Sequence, residues 1–232
     1  LLPQSVYYVW AATRLADPAA GEPVVFSVPS GNFGDMMGGM LARHGGLPVA
    51  RMVIATNAND EVPRFIETGA YQKIEPSREC ISNAMNVGHP SNLARLVDLY
   101  GGWMDETGTL HRAPDMARLR GDLFGVSIGD EATRATIGRV WDGHRVMLEP
   151  HGAVGWAGLE RFWEAHPEQT GRVAVSLETA HPAKFPEEVR AATGIEPLVP
   201  PSLVGLDARS ESFRPLAVEY AAFRELLQRE YA

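Results

Sequence analysis

The stretch VVFSVPSGNFGDMMGGMLARHGG, Val24 to Gly46, constrains the chain more than any other. A β-branched apolar run ends at Pro29, a turn with two glycines follows, and a Met- and Ala-rich segment then reads as helix from Phe33 to His44. Gly45 and Gly46 stop that helix, and Pro48 bars its continuation. RMVIAT, Arg51–Thr56, reads as a second buried strand. Strand, crossover helix and strand in this order predict a right-handed βαβ unit, and hence a parallel sheet.

The alternation continues along the chain. NANDEVPRFIETG predicts a short helix capped by Asn59 or Asp60 and stopped by Gly69. FGVSIGDEATRATIGRVW predicts a strand and then a helix capped at Asp130, and a further helix follows EPHG. Arg172–Glu178 reads as a strand, HPAKFPEEVRAAT as the start of the next helix, and Arg214–Tyr231 as an amphipathic helix. Ahead of the first strand, Val6, Tyr7, Val9, Trp10, Ala11 and Ala12 predict a largely buried helix, followed by the turn-rich loop ADPAAGEP. Ser77–Leu123 reads as mostly helical with polar loops. The expected fold is α/β and doubly wound, a mainly parallel sheet with flanking helices, whose ligands sit beyond the carboxyl ends of the strands.

Composition narrows the function. A formal charge of −8 argues against a nucleic-acid or anionic-membrane surface. No apolar stretch approaches the ~20 residues that span a bilayer. Cys80 is the single cysteine, so no internal disulfide forms, which fits a cytoplasmic location. No His/Cys/Asp/Glu cluster has metal-ligand spacing, so no metal is expected.

The turn Ser30-Gly31-Asn32-Phe33-Gly34 ends a strand and opens a helix, so several backbone N–H groups converge there with the positive end of the helix dipole. That arrangement suits a phosphate or carboxylate, with Gly31 and Gly34 free to take positive φ and Asn32 tolerant of it. An ordinary tight turn without a ligand explains the same residues equally well. Neither the dinucleotide nor the P-loop pattern is present. Thr179-Ala180-His181 follow a strand at the same sheet edge. Thr179 reads either as a ligand-bonding hydroxyl or as a helix cap, and His181 either as functional or as a packed histidine.

Five segments, VPSGNFGD, ATNANDEVPRF, SNAMNV with HPSN, EPHGAVG and TAHPAKF, together resemble threonine synthase of the bacterial and fungal kind, in the family's order and approximate spacing. The resemblance covers nearly the whole chain, with Gly101–Gly125 poorly matched. It implies the tryptophan-synthase-β-like fold (type II) and pyridoxal 5'-phosphate (PLP) as cofactor. It implies conversion of O-phospho-L-homoserine and water to L-threonine and phosphate. Carried over residue by residue, Ser30, Gly31, Asn32, Phe33 and Gly34 bind the cofactor phosphate and Thr179 bonds the pyridine nitrogen. Ser82–Asn86 and His89–Asn92 read as pocket lining or as a packed loop with Ser91 or Asn92 capping a helix, and Glu149-Pro150-His151 as pocket lining or a structural turn.

The family's Schiff-base lysine has no counterpart in these residues. Only Lys73 and Lys184 are present, and neither stands in that context. The expectation is therefore that residues 1–232 are the larger, C-terminal, phosphate-binding domain of a longer chain, inactive alone, its partner being an N-terminal domain that carries the lysine. The rivals are another fold-type-II lyase, such as threonine dehydratase or a cysteine synthase, and a non-catalytic module that binds a phosphorylated ligand.

Overall fold

The computed structural model describes residues 1–17 and 19–231. Pro18, in the loop expected ahead of the first strand, lies outside them. The chain divides into two compact units, Leu1–Leu198 and Val199–Ala232.

The first unit is built on a four-stranded, wholly parallel sheet in the order β5-β2-β1-β6. Its strands are β1 (Val24–Pro29), β2 (Val49–Thr56), β5 (Leu123–Ser127) and β6 (Ala174–Ser176). β1 and β2 are almost wholly buried, as near-continuous apolar runs covered on both faces must be. Side chains alternate between the faces. Val24, Phe26, Val28, Met52 and Ile54 join the core shared with α2 (Gly34–His44), while Val25 and Val53 pack with Leu159 and Phe162 of α7 (Pro150–Ala165). α7 lies close because Gly158 has no side chain: a Cβ there would stand 2.6 Å from that of Ala55. The doubly wound expectation therefore describes this sheet.

Around it lie α1 (Ser5–Leu15), α3 (Glu61–Thr68), α4 (Leu93–Leu99), α5 (Met116–Asp122), α6 (Asp130–His144) and α8 (Pro186–Thr193). The second unit holds a 3₁₀ turn, Leu206–Ala208, and α9 (Tyr220–Tyr231), whose Glu230 pairs with Arg214 and Arg229. The expected helix from Arg214 thus starts at Tyr220.

Other expectations are corrected. α1 buries only the Tyr8 and Ala12 stripe, and Val6, Tyr7, Val9 and Trp10 are exposed. Tyr8 enters the core edge-on to Phe26, with its hydroxyl donating to the Asp35 carbonyl at 3.0 Å. A helix packed along one line buries one stripe. Residues 77–123 are mainly irregular, with two seven-residue helices and a two-stranded antiparallel sheet, β3 (Trp103–Met104) and β4 (Leu110–Arg112). Asparagine side chains satisfy backbone groups of this segment in place of a helical ladder, as when Asn59 accepts from the Arg78 N–H at 2.7 Å.

That bond also explains why Asn59 does not cap α3. Asp60 holds the cap position without a capping bond. Gly129, not Asp130, is the N-cap of α6, and the Asp130 carboxylate instead accepts from the Ile81 N–H at 3.2 Å. β6 is limited to three residues, and the helix expected near His181 is a 3₁₀ turn, Pro182–Lys184, ahead of α8.

Glu61, in the first turn of α3, is 1% exposed, and its Oε2 has no hydrogen-bond partner. Burial, helped by the Asp60 charge and opposed by Arg64 and Arg78, pushes its carboxyl up to about 7. The folded state holds a proton that the unfolded chain releases near 4.5, so this stabilisation is full below that pH and is lost as pH rises through 7. Glu61→Gln should flatten the dependence of denaturation midpoint on pH between 5 and 8, and stabilise the protein at pH 8 by about 2 kcal/mol. Parallel pH profiles for the two proteins would contradict this.

Candidate active site

β1 delivers its turn to the carboxyl edge of the sheet. The Ser30 N–H extends the ladder to the Ala55 carbonyl at 2.8 Å, and the Ser30 hydroxyl donates back to Val28 at 2.9 Å. Among the described residues, the N–H groups of Gly31, Asn32, Phe33 and Gly34 have no protein acceptor. These orphan donors stand at the positive end of the α2 dipole. The left-handed residue is Phe33 (φ 64°, ψ 21°), not Gly31, Asn32 or Gly34 as the turn chemistry suggests. Its ring is buried in the core, which offsets the local strain of roughly 1–3 kcal/mol. Gly31 serves close approach: a Cβ there would lie 2.9 Å from the Ala84 carbonyl oxygen and 3.1 Å from the Met85 Cα.

The segment pressed against Gly31 is Ser82–Asn86, so this segment meets the site rather than forming a packed loop apart from it. Asn57, fully buried just beyond β2, holds it: the Asn57 amide donates to Asn86 Oδ1 (2.9 Å) and to the Ser82 carbonyl and hydroxyl, while Asn57 Oδ1 accepts from Asn59. The HPSN segment braces the turn from behind. The Ser91 N–H reaches Asn32 Oδ1 (3.2 Å), and the Asn92 amide reaches the Asn32 carbonyl (2.7 Å). Asn92, one of the two expected caps, occupies the N-cap position of α4, with no capping bond from its side chain. Asn57 carries no motif of its own. Its signal is position, a polar residue directly after a buried strand at the ligand-bearing edge.

The third wall is the start of α7. Glu149 is completely buried and accepts from the N–H groups of His151 (2.9 Å) and Gly152 (2.8 Å) and from His151 Nδ1 (2.6 Å). Burial alone would raise its carboxyl, but the bonds from the His151 ring and backbone and from Gly152 outweigh it, so it stays below the usual range. Glu178, exposed along part of its side chain, turns its carboxyl onto Gly152 and accepts from the Glu149 N–H at 3.4 Å. Burial of that carboxyl and the Glu149 charge push it up to about 8. At neutral pH the α7 terminus thus meets one carboxylate and one carboxylic acid.

Thr179 follows at the end of the β6 segment. His181 caps the next turn, its Nδ1 accepting from the Ala183 N–H at 3.1 Å, so the cap expected of Thr179 belongs to His181. Ser30, Gly31, Asn32, Phe33, Gly34 and Thr179 all line one cavity of about 240 Å³, with Ala84, Met85 and His151. An adjoining cavity of about 310 Å³ shares Ala84, His151 and Thr179 and is bounded by Lys184 and Phe185. Lys73 is elsewhere, paired with Glu75 at 2.7 Å. Asp35, in the first turn of α2, also lines the smaller cavity, with its Oδ1 buried and without a partner, and burial raises its carboxyl.

Residues 152–227 match the family model described as "Threonine synthase, C-terminal". The chain is 37% identical over 204 residues to threonine synthase of Serratia marcescens, covering 88% of this chain and 42% of that protein. It is 35% identical over 228 residues to threonine synthase of Escherichia coli K12, covering 98% of this chain and 48% of that protein. The crystal structure of PLP-bound threonine synthase from Brucella melitensis superposes with a TM-score of 0.79 at 33% identity, over 98% of this chain and 50% of that one. The chain spans about half the length of these relatives. Along that half, sequence and fold agree: the chain belongs to the threonine synthase family, and its fold is that of the type II PLP enzymes.

Proposed function

We propose that residues 1–232 form the cofactor-phosphate half of a threonine synthase, which converts O-phospho-L-homoserine and water to L-threonine and phosphate with PLP. The observation that carries this reading is one cavity lined both by the turn with its unpaired N–H groups and by Thr179. The donor set fits the cofactor: an anion cradle at a helix N-terminus and a threonine lining the same cavity.

When bound, PLP supplies an electron sink for the amino-acid carbon skeleton. The protein's share is to hold and orient. Gly31, Asn32, Phe33 and Gly34 would grip the phosphate through their unpaired N–H groups, and Ser30, whose N–H is held by the Ala55 carbonyl, would line the cradle beside them. Thr179 offers its hydroxyl to the pyridine nitrogen without forcing a proton onto it, as a carboxylate would. Lys184 stands at the rim of the adjoining cavity, on the turn after Thr179. The proton-abstracting lysine is assigned to the half of the enzyme beyond these residues, the N-terminal partner domain.

A cytoplasmic location belongs to the same reading. Among the described residues no helix is long and apolar enough to cross a membrane.

Phosphate release from O-phosphohomoserine, with PLP present, tests the proposal. The protein of the whole reading frame should turn over, and residues 1–232 alone should not. Silence from both favours a binding module or another substrate, and turnover by this chain alone overturns the division of labour. In the whole protein, Thr179→Val should lower kcat about tenfold, the cost of one hydrogen bond, with the phosphate grip intact. Lys184→Ala should retain the visible absorption band of the bound cofactor. Loss of that band would make Lys184 the anchoring residue.

A further inference from the structure

We infer that Glu149 and His151 act as a positioning pair, which sets the phosphate-binding turn through the backbone of Ala84. The inference rests on the proposed function only for the identity of the ligand.

Both ring nitrogens of His151 are committed. Nδ1 lies 2.6 Å from the Glu149 carboxylate, which accepts only, so Nδ1 carries a proton. Nε2 accepts the Ala84 N–H at 3.1 Å, so Nε2 carries none. The ring is therefore a neutral imidazole locked in one tautomer. A proton on Nε2 would set N–H against N–H and release the loop. The carboxylate that enforces the tautomer is itself fixed by two backbone donors of α7. On the far side of Ala84, its carbonyl closes on the one face of Gly31 that lacks a side chain. The Phe185 ring packs on the imidazole, with centroids 5.2 Å apart, and joins the segment after Thr179 to the same point.

This geometry gives His151 a role different from the one its place in the cavity suggests. It lines both cavities, yet neither nitrogen is free to exchange a proton with a ligand. It is a strut between α7 and the 82–86 loop, and that loop sets where the unpaired N–H groups of the turn point.

The pair is tested in the protein of the whole reading frame with three measurements: amide exchange at Ala84, the Kd for PLP, and kcat at saturating PLP. In His151→Asn, the shorter amide reaches Glu149 but not Ala84. In His151→Gln, the amide oxygen reaches the Nε2 position and accepts from Ala84. We expect H151N to lose protection at Ala84 and to weaken PLP binding about tenfold, with kcat within about threefold of wild type. We expect H151Q to recover both protection and affinity. Wild-type affinity and exchange in H151N, or equal damage in H151Q, overturn the inference.

Should the variants fail to fold, nitrogen NMR of the unmodified protein decides. Nδ1 protonated with Nε2 bare is expected. The opposite tautomer, or a doubly protonated ring at neutral pH, overturns it. An unmodified protein that binds no PLP counts against the proposed function, while Ala84 exchange and the tautomer still decide the role of the pair.

Discussion

The site depends on the parallel pairing of β1 with strands on both sides. Because β1, β2 and β6 run in one direction, their carboxyl ends reach one edge, and the residues just past each strand converge there. After β1 comes the turn with its unpaired N–H groups, after β2 comes Asn57, and after β6 comes Thr179. None of the three has chemical meaning alone. A turn of orphan donors is an anion site only when something closes the space in front of it, and the Asn57-held loop and the start of α7 do so.

The electrostatics of that closed space are managed by pairing and protonation. Three carboxyl groups, those of Asp35, Glu149 and Glu178, stand in or behind a cavity read as a phosphate site. Glu149 keeps its charge because three donors surround it. Glu178, whose carboxyl is covered although the rest of its side chain is exposed, is pushed up to about 8 by that burial and the Glu149 charge, and burial raises the Asp35 carboxyl. The charge of Glu149 is engaged by the α7 N-terminus and by the His151 ring.

Much of this was legible in the residues. The βαβ start reads directly because an apolar run, a glycine turn and a helix stop have local causes. The site motifs SGNFG and TAHPAKF stand at strand ends, where an α/β sheet keeps its ligands. Less legible were features set by distant partners. Asn59 was free to cap a helix or to organise a loop, and the choice fell to Arg78, nineteen residues on. The apolar residues of α1 specify a helix, but only its packing against α2 decides that Tyr8 turns inward and Trp10 outward. Phe33 took the left-handed conformation that local chemistry offers to Gly31 or Asn32, because burial of its ring repays the strain.

What the sequence by itself determined was the class of fold, the anion-suited turn and the threonine at the same edge. These arise from local chemistry: β-branched runs, helix stops and residues at strand ends. What only the tertiary structure decided was which groups meet. That the Ala84 carbonyl closes on Gly31, and that the His151 ring is locked between Glu149 and Ala84, depend on contacts between segments far apart in the chain. No local pattern encodes them, because such a hydrogen bond is worth forming only after burial has removed the water that would otherwise compete for the same atoms.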